Sequence, residues 1–109
     1  MENKYSIFVA TCENKDSAKK IAMLLVEQKL AACVQMFPIQ SIYIWQNEIC
    51  ENDETALFIK SKNVLFSDIV DVIKQNHSYE VPEIIQISID NGLPEYLRWI
   101  GDCVVDVSK

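Results

Sequence analysis

The chain is poor in the residues on which several common chemistries depend. Its 109 residues hold only two glycines, Gly92 and Gly101, one histidine, His77, and one arginine, Arg98. Two glycines cannot be arranged into a Walker or Rossmann phosphate loop, which excludes nucleotide binding by those routes. The four cysteines, Cys12, Cys33, Cys50 and Cys103, include no C-x-x-C pair. Neither a paired-ligand zinc site nor a dense disulfide scaffold can be written from them, and they read as reduced thiols acting as small buried hydrophobes. The longest apolar run, IAMLLV at 21–26, falls far short of the ~20 residues that span a bilayer. Positive charge is also scarce: ten basic residues stand against sixteen acidic ones, for a net charge of −6. With no local Lys/Arg cluster, this balance argues against nucleic-acid partners. The opening MENKYSIFVATC lacks a basic n-region, a long apolar core and a small-residue cleavage site, so it is expected to be a mature first strand of a cytoplasmic protein with no membrane partner.

What is present suits one soluble domain over residues 1–109, since 50% of the residues are apolar and 24% charged. YSIFVATC (5–12) is rich in β-branched and aromatic residues and reads as a strand buried on both faces. The following stretch, 13–31, switches to helical period, with Ala18, Ile21, Ala22 and Leu25 on one side and Asn14 or Asp16 available as the cap. Residues 33–62 are strand-like almost throughout, with Pro38 marking an edge or a bulge and QNE (46–48) a tight turn. NVLFSDIVDVIKQN (63–76) is predicted as the second helix, its inward stripe formed by Leu65, Ile69, Val72 and Ile73. VPEIIQISI (81–89) reads as a core strand with Ile85, Ile87 and Ile89 on one face. GLPEYLRWIGDCV closes as a short helix, with Pro94 in its first turn and Leu93, Leu97, Ile100 and Val104 facing inward. The order β-α-β-β-α-β-α is α+β: a ferredoxin-like split βαβ sandwich with a long β-hairpin and an extra C-terminal helix.

The hairpin does not fit an isolated domain. Between Ile39 and Lys62 its arms are about eleven residues each, roughly 36 Å at strand rise. A compact chain of this size has a radius of gyration of only about 13 Å. Near the tip both faces are apolar, Ile42 and Ile44 on one and Tyr43 and Trp45 on the other. A ribbon of that kind left in water invites association. The chain is therefore expected to be an obligate homo-oligomer.

Four separated stretches, KLAACVQMFPIQSIYIWQNEI, FIKSK, NHSYEVPEII and PEYLRWI, stand in the order and at the spacing of the CutA family, named for divalent-cation tolerance. The resemblance covers essentially the whole chain. It implies a ferredoxin-like protomer in a tight homotrimer whose hairpins wrap adjacent subunits. It further implies a non-enzymatic role in metal-ion tolerance, with copper or another divalent cation as ligand and no other cofactor. Some family members show a cysteine near the end of the first strand and a His-His pair before the tyrosine. Here those positions hold Ala10, Asn76 and His77, with Cys12 an even step along the same strand face. His77 and Cys12 are thus the metal-ligand candidates that the resemblance leaves, and contact with the metal is expected to be weak. The same trimeric plan resembles the PII signalling proteins, which bind small effectors between subunits.

On the residues themselves, His77 reads either as a helix-terminal residue that bonds the last carbonyls or as a ligand or proton-transfer group. Lys60 interrupts an apolar strand and needs a carboxylate or a bound anion. Together with Tyr79 and Glu83 these residues form a candidate inter-subunit cleft for a small molecule. Tyr43, Trp45, Tyr79, Tyr96 and Trp99 form an aromatic set that serves either as core and interface anchors or as a ligand cage. An acylphosphatase on the same scaffold needs a glycine-bearing anion loop with an arginine after the first strand. That loop is TCENKDS and the only arginine is Arg98, so this enzyme is excluded.

Overall fold

The computed structural model describes residues 4–106; the outermost residues of the expected 1–109 domain lie outside the described residues. Strand β1 (Tyr5–Cys12) leads into helix α1 (Lys15–Glu27), strands β2 (Cys33–Trp45) and β3 (Glu48–Lys62), and helix α2 (Phe66–Asn76), entered through a 3-10 turn at Asn63–Leu65. Strand β4 (Ile84–Ser88) and helix α3 (Pro94–Cys103) complete the order. The strands form one sheet in the order β2-β3-β1-β4, with every neighbouring pair antiparallel. This is the α+β arrangement expected of a split βαβ unit with an added terminal helix.

Helices α1 and α2 cover one face of the sheet. Ser6, Phe8, Ala10 and Cys12 of β1 point to that face and are buried. Phe8, Leu57 and Ile59 meet Ile21 and Leu25 of α1 and Ile69 and Ile73 of α2 in the core, each large side chain contributing about 1.5–3 kcal/mol when fully buried. Tyr5, Ile7 and Val9 face the other way and are only half-buried, so β1 is fully buried on one face rather than on both. The cap expected of Asn14 forms, its side-chain oxygen accepting from Ser17 N–H at 2.8 Å. Helix α1 ends with Lys29 in the left-handed region at φ 58°, while the N–H groups of Leu30 and Ala31 return to the Leu25 carbonyl. That geometry is normally given to glycine. Buried polar groups are matched: Gln86 donates to Ser6, Ser6 to Asn63, and Ser61 to the Leu30 carbonyl.

The hairpin is longer than its sequence estimate, with thirteen residues in β2 and fifteen in β3. Gln46 and Asn47 form its tip with φ of 51° and 66°, the paired positive values that match a two-residue turn to strand twist. Pro38 lies on edge strand β2 within an unbroken ladder, so it marks an edge and not a bulge. Strand β1 pairs with β3 only over Thr55–Lys62. The pairs from Ile39–Glu54 to Trp45–Glu48 therefore project past the sheet as a free ribbon, and the molecule measures 44 × 25 × 22 Å. On one side of the ribbon Ile42, Ile44 and Ile49 are 72%, 74% and 77% exposed.

Helix α3 packs on the sheet face opposite α1 and α2. A Cβ at Gly101 would come within 2.9 Å of the Tyr5 hydroxyl, so the helix approaches β1 this closely only through glycine. Ile100 and Val104 are buried as expected, but Leu93 is exposed, because it precedes the first helical turn as the N-cap residue. Strand β4 is shorter than the expected 81–89 because its pairing with β1 starts at Ile84–Ala10 and ends at Ser88–Ser6. Ile85 and Ile87 lie on the open face and are exposed by about half, which makes β4 an edge strand with one uncovered apolar row. Among the described residues no helix is long and apolar enough to cross a membrane.

Candidate functional site

The segment from His77 to Glu83 joins α2 to β4 across the end of β1. His77 has left the helix, with φ −97° and ψ 144°. Its Nε2 lies 2.6 Å from the Thr11 carbonyl oxygen, and its Nδ1 lies 3.0 Å from the Tyr79 backbone nitrogen. The Tyr79 N–H can only donate, so Nδ1 accepts, and the ring proton resides on Nε2, which donates to Thr11. Both ring nitrogens are thereby engaged. The helix-end bond expected of His77 is made by its neighbour: Asn76 Nδ2 donates to the Val72 carbonyl at 2.8 Å. The extended backbone of His77 turns its ring away from the helix axis and toward the end of β1.

The His77 ring packs against Tyr79, centroid to centroid 4.7 Å, and Tyr79 reaches in turn to the hairpin. Its hydroxyl donates to Glu54 Oε2 at 2.9 Å. Burial, reinforced by that hydrogen bond and the negative charge of Glu54, pushes the Tyr79 hydroxyl up to about 12. Between the connecting segment and the projecting ribbon lies a cleft of about 750 Å³. Thr11, Tyr79, Glu80 and Glu83 line one side, and Tyr43, Trp45, Asn52 and Glu54 the other. Asn52 Nδ2 donates to the Tyr43 hydroxyl, fixing that ring on the open face of the ribbon.

Of the residues singled out from the sequence, the structure brings Tyr79 and Glu83 together in this cleft, with the His77 ring tilted against Tyr79. Lys60 stands elsewhere: its Nζ lies 3.1 Å from the Tyr96 hydroxyl, to which it donates, and 5.3 Å from the centre of that ring. A phenol oxygen and a π face thus provide what was expected from a carboxylate or an anion. Cys12 is 1% exposed within the helix-side core. Burial pushes its thiol up to about 11, with the charges of Glu54 and Glu13 adding to the shift. Among the described residues no group of three or more His, Cys, Asp or Glu side chains is placed to hold a metal ion. Glu54, Asn52 and Thr11 were not found by sequence reasoning. Glu54 had one usable signal, because a two-residue turn at Gln46–Asn47 sets it opposite Ile39 on the open face.

Residues 6–103 match the family described as CutA1 divalent ion tolerance protein. A protein CutA homolog from Xenopus laevis is 45% identical over 86% of this chain and 63% of its own length, so the chain spans somewhat under two thirds of that relative. The solved structure of the periplasmic divalent cation tolerance protein CutA from Archaeoglobus fulgidus superposes with a TM-score of 0.87 at 38% identity, covering 88% of this chain and 94% of that one. CutA1 from the psychrotrophic bacterium Shewanella sp. SIB1 gives a TM-score of 0.93 at 38% identity over 97% of this chain and all of its own. With the match running through every strand and helix and the same fold in both solved structures, the chain belongs to the CutA1 divalent ion tolerance family.

Proposed function

We propose that this chain works in divalent-cation tolerance as a non-enzymatic homotrimer that takes up a small ligand in the cleft between the His77–Glu83 segment and the hairpin. The observation that carries this reading is the cleft itself, whose two walls are joined by the Tyr79–Glu54 hydrogen bond. The same observation favours the effector-binding alternative, a PII-like module, over a resident metal centre. His77 would have to break a hydrogen bond at either nitrogen to bind copper or another divalent cation, and Cys12 would have to leave the core as a thiolate. Metal contact in this reading is weak and made by outlying carboxylates. The absence of a catalytic step is supported by the same two bonds, which leave no ring nitrogen of His77 free to accept a proton from substrate.

Trimerisation is supported by the uncovered isoleucines of the ribbon and of β4, an apolar surface that a lone chain would expose to water. A cytoplasmic location is supported by four free cysteines. Sedimentation equilibrium is expected to give three times the 12.5 kDa chain mass. Calorimetric titration with Cu²⁺ and Zn²⁺ is expected to show weak heats that His77→Ala leaves unchanged, while a thermal-shift screen of metabolites yields a compound whose effect needs Tyr79. Stoichiometric micromolar copper binding abolished by His77→Ala would replace this reading with a metal site.

A further inference from the structure

The ribbon that projects past the sheet is tied back to the rest of the fold at its root. Strand β1 supports β3 as far as Thr55, opposite Cys12, and Glu54 is the first residue of the ribbon beyond that support. Glu54 is also the residue that Tyr79 holds, its Oε2 accepting from the phenol at 2.9 Å. Among the described residues this is the only side-chain hydrogen bond from residues 39–54 to another part of the fold, since the others stay within the ribbon. Tyr79 in turn stands on a fixed base. Its backbone N–H donates to His77 Nδ1 at 3.0 Å, the two rings lie 4.7 Å apart, and His77 Nε2 donates to the Thr11 carbonyl at 2.6 Å. The segment that carries both rings is anchored by α2 before it and by the Ile84–Ala10 pair after it. A continuous path of contacts therefore runs from the end of β1 to the root of the ribbon.

We infer that Thr11, His77, Tyr79 and Glu54 form a brace that fixes the direction in which the ribbon leaves the sheet, and that assembly with further copies of this chain depends on it. The inference rests on the homotrimer proposed above and adds the device that aims its hairpins. A two-stranded ribbon with no flanking strand twists more than a wider sheet. At strand rise it runs roughly 20 Å from Ile39 to Trp45. A swing of about 10° at the root would carry the tip through about 3.5 Å, close to the ~4 Å at which apolar side chains touch. Ile42, Ile44 and Ile49 would then miss the surfaces they meet in a neighbouring copy. The bond at the root suits this role, because a hydrogen bond to a carboxylate is about twice as strong as one between neutral groups.

The test compares the full chain with Tyr79→Phe, Glu54→Ala, Glu54→Gln and the double variant Tyr79→Phe/Glu54→Ala, by hydrogen exchange and by sedimentation. In Tyr79→Phe and in Glu54→Ala the amides of 39–53 should exchange at least about threefold faster, while those of Ile21, Leu25, Ile69 and Ile73 in the core keep the parental rate. In urea near the parental midpoint, the chain concentration that half-assembles the trimer should rise by about tenfold in both. Glu54→Gln, whose amide oxygen still accepts from the phenol, should stay closer to the parent than Glu54→Ala does. The double variant should behave like Tyr79→Phe alone. Tyr79→Phe keeps the ring against His77, and Glu54→Ala reads the same bond from its other partner should one of the two fail to fold. Faster exchange spread evenly over ribbon and core, parental exchange or parental assembly in both single variants, or single effects that add in the double variant overturn the inference. A parent chain that sediments as a monomer refutes the trimer and takes the inference with it, whereas a trimeric parent with indifferent variants refutes the inference alone.

Discussion

His77 ties together segments far apart in the chain. One ring nitrogen reaches the carbonyl of Thr11, sixty-six residues away, and the other holds the N–H of Tyr79, two residues on. Removing the ring in His77→Ala deletes both bonds and leaves the Thr11 carbonyl part-buried without its donor. At a net ~0.5–1.5 kcal/mol per hydrogen bond, the loss should be about 1–3 kcal/mol, read as a lower urea midpoint with an unchanged slope. The uniqueness of the histidine marked its position in the sequence, but its partner was not legible. A backbone carbonyl at a strand end has no side-chain signature. Cys12 teaches the converse: even spacing put it correctly on the Ala10 face, yet that face is the helix-side core. Burial pushes its thiol up to about 11 in the fold, from an ordinary value of 9.0. Because the folded value is the higher one, the stability it contributes is complete below about pH 9 and is lost as pH rises toward 11. Timed alkylation should therefore find Cys12 the slowest of the four thiols at pH 8, with a rate still climbing past pH 10.

At the scale of elements, the hairpin depends on a turn in which two non-glycine residues hold positive φ. Asn47 tolerates that region better than most side chains, and its presence in QNE made the turn legible. Asn47→Ala should cost about 1 kcal/mol, and Asn47→Gly should cost nothing or stabilise slightly; thermal unfolding followed by circular dichroism separates the two. The α1 terminus had no such cue, since Lys29 occupies a position where glycine announces a helix end. Strand lengths were underestimated for a related reason. Between Cys33 and Lys62 only Pro38 and the turn interrupt the pattern, and a proline on an edge strand interrupts nothing. The expected strand 81–89 is longer than β4 because Val81 and Ile89 share the composition of a strand while lying outside the ladder. Strand propensity reports a fit to a half-buried surface and does not say where pairing stops.

At the scale of the whole molecule, the described residues leave two apolar surfaces that the chain itself does not cover, and these account for where sequence patterns and burial disagree. Ile85 and Ile87 alternate as core residues should, yet each is exposed by about half, because α3 covers the open sheet face only where it meets β1 and β3. The ribbon carries Ile42, Ile44 and Ile49 almost wholly in water. A single chain cannot reach them, as they lie beyond the last β1–β3 pair, Cys12–Thr55. In the proposed trimer each of these side chains contributes about 1.5–3 kcal/mol on complete burial, which makes the folded protomer and the assembly one equilibrium. Ile44→Glu places a charge in the middle of that surface and should cost more than its lost burial, since an unpaired carboxylate must also be desolvated. Sedimentation and circular dichroism should then show aggregate or unfolded chain, and so should Trp45→Glu, whereas Glu48→Gln at the same tip should sediment like the parent. A soluble, folded monomer recovered from Ile44→Glu and Trp45→Glu would mean that the ribbon stands free in water and that association is not what holds this fold together.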